Sequence, residues 1–285
     1  MDKIKLIAID IGGTLLKDDN TISKENLEAI EKAKSLDIKI ALATAREYSS
    51  TKYISSVINC DYGVFSNGSH VFDVKNKKTI INNIIKQEAV IDIIKYCKAN
   101  QLYIHLNQEL CEVSDELAFF TLKHHLLNKS YSAELKSNCF VVPDLYKHVL
   151  ECDNITKIVI VSDRSLTGAI EELKPILNAH QLFITEIYQD SYDQVLDKSI
   201  SYIEIGSTND NKATGINKLL EVVKIEKAEV LVIGDGDNDI KMFQEFEHSA
   251  CMNSGSDAAK KKASYIALDN HDNGVANAIY HFLDK

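Results

Sequence analysis

The sequence predicts an α/β fold, a Rossmann-like doubly wound sheet of mainly parallel strands that is interrupted by an inserted α/β cap domain. Short apolar stretches alternate with amphipathic helical stretches along the whole chain. Several of the apolar stretches end in polar side chains and glycines, but those between residues 84 and 191 do not. We therefore expect a core made of residues 1–83 and 192–285, and an inserted domain over 84–191.

Composition excludes several classes of protein. The chain has 285 residues, 45% of them hydrophobic, which is enough for two domains with real cores. A net charge of −10 without a long basic run argues against a nucleic-acid partner. We see no signal segment, and no apolar run approaches the ~18 residues that a membrane span needs. We therefore expect a cytoplasmic protein without a membrane partner. The six cysteines have no metal-ligand spacing. The oligomeric state stays open.

The first apolar run ends at Asp10 and is followed by Gly12 and Gly13. Such a run predicts a strand buried on both faces, with the acid at its carboxyl end. Ligands bind at that edge of open α/β sheets, and glycines there let backbone N–H groups approach an anion. Asp10 is therefore a candidate nucleophile. A lone Asp before glycine more often caps a turn, and only the later segments favour a site.

The next segments predict a βαβ unit. A helix begins after Ser23 as its N-cap, and a strand over 38–43 ends in Thr44, Ala45 and Arg46. The second strand should run parallel to the first and deliver Thr44 to the same sheet edge. A hydroxyl there suits a phosphate oxygen, although a helix N-cap explains it too.

Two further polar positions follow strand-like segments. Asn67 and Gly68 end the third apolar stretch, where a hairpin turn is an equally good interpretation. Lys212 opens an amphipathic helix over 213–223, where the helix dipole disfavours a cation. A bound anion would remove that conflict, although a solvated surface lysine is the commoner case.

A cluster of acids follows a late buried strand. Three acids and one amide occur within five residues, namely Asp235, Asp237, Asn238 and Asp239. These carboxylates repel one another unless a cation lies among them, and hard oxygen ligands suit Mg²⁺ better than zinc. An EF-hand is excluded because Ile240 and Phe246 stand at its required Gly and Glu. A dinucleotide loop is excluded because its third glycine is missing.

In this order, the four segments resemble the motifs of the haloacid dehalogenase superfamily. The Asn67-Gly68 pair, the position of the insertion and Gly274-Val275-Ala276 near the end make the chain similar to the Cof-type sugar-phosphatase branch. The resemblance implies a Mg²⁺-dependent phosphatase that acts on a small phosphorylated metabolite. The inserted domain would then be a cap that excludes water and selects the leaving group.

The resemblance also implies roles for individual residues. Asp10 would accept the phosphoryl group as an aspartyl phosphate. The catalytic set would be Asp10, Gly12, Thr44 and Lys212. The metal ligands would be Asp10, Gly12 through its carbonyl, Asp235 and Asp239. The phosphate and substrate would be bound by Gly13, Thr44, Ala45, Arg46, Asn67, Lys212 and Asn238.

Three departures from the family pattern affect turnover more than fold. Gly12 stands where the family has a second Asp, which protonates the leaving group and then deprotonates the attacking water. Ala45 replaces a Gly, and Met252-Asn253-Ser254 replaces Met-Gly-Asn. A slow phosphatase is our first hypothesis. The alternatives are a catalytically impaired relative that binds a phosphorylated ligand, and a phosphotransferase or mutase.

Overall fold

The computed structural model describes residues 3–108, 111–115, 139–193, 198–207 and 210–284. The chain divides into two compact units. The first comprises Met1–Arg46, Tyr53–Ile81 and Asp210–Lys285, and the second comprises Glu47–Lys52 and Asn82–Asn209.

Strands and helices alternate along most of the described chain. In chain order the strands are β1 (Leu6–Ile9), β2 (Lys39–Ala43), β3 (Tyr62–Phe65), β4 (His70–Asp73), β5 (Lys78–Asn82), β6 (Tyr103–Gln108), β7 (Glu112–Ser114), β8 (Cys139–Val141), β9 (Ile155–Ser162), β10 (Leu182–Asp193), β11 (Lys198–Ser207), β12 (Val230–Gly234), β13 (His248–Met252) and β14 (Tyr265–Ala267). The helices are α1 (Lys24–Ser35), α2 (Tyr48–Val57), α3 (Gln87–Ala99), α4 (Leu145–Glu151), α5 (Thr167–His180), α6 (Lys212–Val223), α7 (Ile240–Glu245), α8 (Asp257–Lys260) and α9 (Gly274–Leu283).

The first unit is built on an eight-stranded sheet in the order β14-β13-β12-β1-β2-β3-β4-β5. From β14 to β3 all neighbours are parallel, and β4 pairs with β3 in an antiparallel hairpin. The central strands β1 and β12 are buried along their whole length, which accounts for their unbroken apolar sequences. Ser23 caps α1 as predicted, because its side chain accepts a hydrogen bond from the backbone N–H of Asn26. The predicted α/β fold class is confirmed.

The second unit contains a six-stranded sheet in the order β10-β11-β9-β6-β7-β8. Alternate residues of its central strands turn one apolar face to a core that also includes α3 and α5. The core residues from three of these strands are Ile104, Leu106, Ile158, Ile160, Ile203 and Ile205. The opposite face of the sheet carries both polar and apolar side chains. The polar ones include His105, Asn107, Lys157 and Glu204, and the apolar ones are Val159 and Val161, which pack against Tyr103 and Tyr202.

The boundary between the units differs from the one expected at residue 191. β11 pairs antiparallel with both β9 and β10, so the second unit extends to Asn209. A strand that alternates apolar and polar residues fits either sheet equally well, so the sequence of β11 does not indicate which strands it pairs with. The segment Glu47–Lys52 also belongs to the second unit, although it directly follows a predicted phosphate-binding segment.

The described residues also bear on the cysteines and on membranes. The cysteines whose side chains are described carry free thiols, at positions Cys60, Cys97, Cys111, Cys152 and Cys251. None of the helices in the described part of the chain combines the length and apolar character needed to cross a membrane.

Candidate active site

Three predicted site residues follow strands that are direct neighbours in the first unit. Asp10 follows β1, Thr44 follows β2 and Asp235 follows β12, and β1 pairs in parallel with both of the other strands. Neighbouring strands lie about 4.8 Å apart, so the three residues share the carboxyl edge of the sheet. The backbone N–H of Asp10 donates to the carbonyl of Ile233, which fixes the end of β1 against β12.

Lys212 reaches this edge from the first position of α6. The preceding Asn211 caps the helix by accepting a hydrogen bond from the N–H of Thr214. Lys212 is only 1% exposed, and its Nζ lies 2.6 Å from Oδ1 of both Asp10 and Asp239. Burial disfavours the ammonium form, but the two carboxylates outweigh it and raise the pKa of Lys212. The lysine is therefore charged and held against the candidate nucleophile.

Two hydrogen-bond arrangements hold the other carboxylates. Oδ2 of Asp239 accepts from the backbone N–H groups of Asp235 and Gly236, each at 2.9 Å. The Thr14 hydroxyl donates to Oδ1 of Asp235 at 2.7 Å. Sequence reasoning did not assign a role to Thr14. The sequence feature that could have indicated a role for Thr14 is its position directly after the two glycines of the first loop.

The acids form a group that suits a hard divalent cation. Asp10, Asp235 and Asp239 each offer an oxygen, and these three oxygens lie within 4.8 Å of one another. Burial raises the pKa of Asp10 to about 7, helped by the charges of Asp239 and Asp235 and opposed by Lys212. Three carboxylates face one ammonium, so a cation would relieve the excess negative charge, and oxygen donors are what Mg²⁺ prefers. Both oxygens of Asp239 are already engaged, which leaves Asp10 and Asp235 freer to coordinate.

The two glycines of the first loop have different constraints. Gly13 has a φ of +73°, and a Cβ there would lie 2.4 Å from Oδ2 of Asp235, so the close approach requires glycine. Gly12 has φ −77° and ψ 128°, which any residue adopts. A Cβ on Gly12 would meet only Nη2 of Arg46, at 3.8 Å. The loop therefore has room for a side chain at Gly12.

The predicted phosphate-binding segments are tied together by backbone hydrogen bonds. The Thr44 hydroxyl accepts from the N–H of Arg46, and the Thr44 carbonyl accepts from the N–H of Asn67. Ser66 donates to the carbonyl of Arg46, and both Ser66 and Asn67 adopt left-handed conformations. Two further residues were predicted to bind phosphate or substrate. Ala45 lies between Thr44 and Arg46 in the chain, and Asn238 is exposed in the acidic loop.

The raised pKa of Asp10 gives a first testable prediction. Because its folded-state pKa of about 7 exceeds the ordinary 3.8, Asp10 favours folding most below pH 4, and this contribution is lost as pH rises through 7. We expect the unfolding free energy of the metal-free native protein, relative to Asp10→Asn, to fall by up to about 4 kcal/mol between pH 4 and 8. Urea unfolding at several pH values measures it.

The matched control for that experiment is Asp237→Asn, which removes an exposed acid from the loop after β12. The change of its unfolding free energy with pH is the background with which the change for Asp10→Asn is compared. A difference for Asp10→Asn that stays flat over the same pH range would mean that Asp10 ionises as an ordinary aspartate.

The fold and the site together define the class of protein. A mainly parallel α/β sheet with an aspartate after its first strand, a buried lysine and an acidic loop after a later strand is the arrangement of a hydrolase with a Rossmann-like core. Residues 7–279 match the sequence model of the haloacid dehalogenase-like hydrolases. The chain belongs to this family.

Individual relatives cover almost all of the chain. The 5-amino-6-(5-phospho-D-ribitylamino)uracil phosphatase YitU of Bacillus subtilis is 25% identical over 279 residues, which are 97% of this chain and 97% of the relative. The crystal structure of a haloacid dehalogenase-like hydrolase from Bacteroides thetaiotaomicron superposes with a TM-score of 0.83, at 22% identity, covering 98% and 99% of the two chains. The subclass IIB sugar phosphatase BT4131 gives a TM-score of 0.74 at 19% identity, covering 98% of each.

These findings confirm the family, the enzyme class and the core-plus-insertion architecture predicted from the sequence. The roles assigned to single residues stay predictions. The structure brings Asp10, Lys212, Asp235 and Asp239 into one group. It connects Thr44, Arg46 and Asn67 into a second group through backbone contacts, and it places Arg46 beside Gly12.

Proposed function

We propose that this protein hydrolyses phosphate monoesters of small metabolites, sugar phosphates above all, through an aspartyl phosphate on Asp10 and with Mg²⁺ as cofactor. The observation that carries the proposal is the buried Lys212 ammonium, which bridges Asp10 and Asp239 at 2.6 Å. Phosphoryl transfer needs positioning and neutralisation of charge more than covalent chemistry, and this arrangement supplies both.

In the first half of the reaction, an oxygen of Asp10 attacks phosphorus while the bond from phosphorus to the leaving oxygen breaks. Lys212 neutralises part of the negative charge on the transferring group and holds the Asp10 carboxylate in a fixed orientation. Thr44 and the backbone of the Gly13 loop donate to phosphate oxygens in this proposal. Mg²⁺ bound by Asp10 and Asp235, with the Gly12 carbonyl, would neutralise further charge on the phosphate.

The leaving oxygen needs a proton, and Gly12 has no side chain to supply it. Water must then attack the aspartyl phosphate without a carboxylate base at this position, so inorganic phosphate is released slowly. Arg46, whose Nη2 lies 3.8 Å from the place of a Gly12 Cβ, contributes positive charge there but cannot give up a proton near neutral pH. We therefore expect turnover that depends strongly on the stability of the leaving group.

A relative's substrate supports the class of ester. YitU is named for a phosphorylated ribitylamino compound, in which the phosphate is carried by a polyol chain. Its identity of 25% does not transfer that substrate, but it supports a polyhydroxylated small molecule as the alcohol. The partner we propose is accordingly a small phosphorylated metabolite.

Gly12 also favours a second candidate, a relative that binds a phosphorylated ligand with little or no turnover. The test is phosphate release from a panel of phosphorylated metabolites, with Mg²⁺ and with chelator. We expect release from several sugar phosphates only when Mg²⁺ is present. Binding of these esters without any phosphate release would support the second candidate and contradict the first.

Beryllium fluoride, which mimics a phosphoryl group, tests the phosphate site without turnover. With Mg²⁺ present at saturation, we expect it to stabilise the native protein by about 2.7 kcal/mol at a hundred times its dissociation constant, and to have little effect with chelator. Thermal unfolding measures the shift. Lys212→Met should lose the shift, whereas Lys218→Met, on the same helix, should keep it. An unchanged shift in Lys212→Met would show that Lys212 does not contact the phosphate.

A further inference from the structure

The space beside Gly12 is bordered by a positively charged group. A Cβ on Gly12 would lie 3.8 Å from Nη2 of Arg46, and no other described residue comes within 4 Å of it, apart from the chain neighbours of Gly12. On the side of Gly13, by contrast, a Cβ would meet a carboxylate oxygen of Asp235. Gly12 is exposed and Arg46 is half-buried, so small solutes reach this space.

A guanidinium in this position favours a carboxylate as its ligand. Arginine presents a rigid fork of N–H donors that matches the two oxygens of a carboxylate. A phosphate fits the same fork, but it carries a charge of about −1.5 to −2 near neutral pH. A second phosphate would therefore add more repulsion beside the transferring phosphoryl group than a carboxylate with its single charge.

The space lies close to the proposed nucleophile. Gly12 follows Asp10 by two residues, so their Cα atoms are at most about 7 Å apart. Both residues and Arg46 belong to the first unit. A carboxylate that Arg46 holds beside Gly12 is therefore within reach of an ester whose phosphorus is attacked by Asp10.

The polar groups around Asp10 are committed to other contacts. The Lys212 ammonium is held by Asp10 and Asp239, each at 2.6 Å. The Thr14 hydroxyl donates to Asp235. A guanidinium keeps its protons near neutral pH. The leaving oxygen still needs a proton and the attacking water still needs a base, so these proton transfers require a further group.

We propose that the space between Gly12 and Arg46 is a carboxylate-binding site, and that the bound carboxylic acid carries out the proton transfers of the hydrolysis. The carboxyl group belongs either to the alcohol part of the substrate, which is then a phosphorylated hydroxy acid, or to a free small acid. The proposal rests on the function proposed above, because it supplies the acid and the base for that same reaction.

The proton balance closes over the two half-reactions. In the first, the carboxylic acid gives its proton to the ester oxygen while Asp10 attacks phosphorus and the bond from phosphorus to that oxygen breaks. In the second, the resulting carboxylate takes a proton from water while the water oxygen attacks phosphorus and the bond from phosphorus to Asp10 breaks. The carboxylic acid is restored, and the products are the alcohol and inorganic phosphate.

Activation by formate tests the site with the smallest carboxylate. The kcat for glycerol 2-phosphate is measured with Mg²⁺ and increasing sodium formate, and sodium chloride at equal ionic strength is the salt control. We expect saturating formate to raise the kcat of the native protein at least about tenfold, a part of the roughly 10²- to 10⁴-fold that a positioned acid or base contributes. Gly12→Asp, whose own carboxylate fills the space, should gain nothing from formate.

Arg46→Met should lose the gain, because the guanidinium that holds the carboxylate is removed. The kcat with and without formate is compared within each variant, since Arg46 is also a predicted phosphate ligand. The matched control is Arg164→Met, which removes an exposed arginine of the second unit and should keep the full gain. A gain of the native size in Arg46→Met or Gly12→Asp would mean that formate acts elsewhere, and would overturn the proposal.

Two esters distinguish the source of the carboxylate. 2-Phosphoglycerate carries a carboxylate on the carbon that bears the phosphate, and glycerol 2-phosphate carries a hydroxymethyl group in its place. If the substrate supplies the acid, 2-phosphoglycerate should have a kcat at least about tenfold higher without formate and gain nothing from it. If a free acid supplies it, both esters should have similar kcat values and formate should accelerate both. Equal kcat values without any formate effect would overturn the proposal.

A binding measurement separates this proposal from the proposed function. Broadening of the ¹³C-formate signal in NMR spectra is recorded with the native protein and each variant, after thermal unfolding has established that all are folded. Broadening that Gly12→Asp and Arg46→Met abolish and Arg164→Met keeps would support the site even if no ester were hydrolysed, a result that would contradict the proposed function. Equal broadening by all the proteins would overturn the carboxylate site, whatever their hydrolysis.

Discussion

Replacing Gly12 with aspartate is expected to raise the turnover of a hexose phosphate by about 10²- to 10⁴-fold, because a positioned general acid or base usually contributes that much. The gain corresponds to roughly 3 to 5.5 kcal/mol of barrier. The structure removes the main steric objection, since Gly12 has an extended backbone and a Cβ there would touch only Arg46, at an ordinary distance of 3.8 Å. Gly12→Asp should therefore fold with its site intact.

The gain should depend on the leaving group. p-Nitrophenolate departs as a stable anion and needs no proton, whereas a sugar alkoxide does. In the second half-reaction, water attacks the aspartyl phosphate, and this step lacks a general base whichever substrate was used. Phosphoenzyme should therefore accumulate in the native protein and not in Gly12→Asp. Steady-state rates on p-nitrophenyl phosphate and on a hexose phosphate, for both proteins, measure these effects.

Gly12→Ala is the matched control, because it adds the Cβ without the acid and should give no comparable gain. One result would contradict our interpretation of Gly12. If the native protein already hydrolyses the hexose phosphate at an ordinary enzymatic rate and Gly12→Asp adds nothing, another group or a bound water supplies the proton.

Asp10→Asn is expected to reduce turnover on the order of 10⁶-fold, the scale on which another enzyme loses activity without its covalent nucleophile. The amide cannot form an acyl phosphate, although it preserves the shape of the side chain. The variant should remain folded, because the pKa of Asp10 is already raised to about 7 by burial and neighbouring carboxylates, so a neutral group is tolerated there.

Two measurements distinguish a nucleophile from a residue that only binds the cofactor. Mass spectrometry of acid-quenched protein should show a phosphoryl group on the peptide that contains Asp10 in the native protein, and none in Asp10→Asn. Asp237→Asn, which alters an exposed acid of the late loop, should keep both the adduct and the rate. A phosphoryl adduct found on a different residue would remove Asp10 from the role we assign to it.

Much of the fold was predictable because its signals are local. The apolar runs before Asp10 and Asp235 are strands buried on both faces. Such strands have continuous apolar sequences without alternating polar residues, so they are recognisable from the sequence. Ser23 as a helix cap depends only on neighbours along the chain. The second unit has a different extent from the predicted 84–191 because β11 finds its partners in β9 and β10, and pairing between distant segments leaves no mark on either sequence.

The order of motifs in the sequence by itself determined the family, the sheet edge at which Asp10, Thr44 and Asp235 meet, and the acidic character of the proposed metal site. These follow from chain direction, because parallel strands must present the residues after their carboxyl ends together. Only the tertiary structure decided that Lys212 is wholly buried between Asp10 and Asp239, and that Gly12 has room for a side chain beside Arg46. Both features depend on distances between residues far apart in the chain, and side-chain packing sets those distances, whereas composition does not.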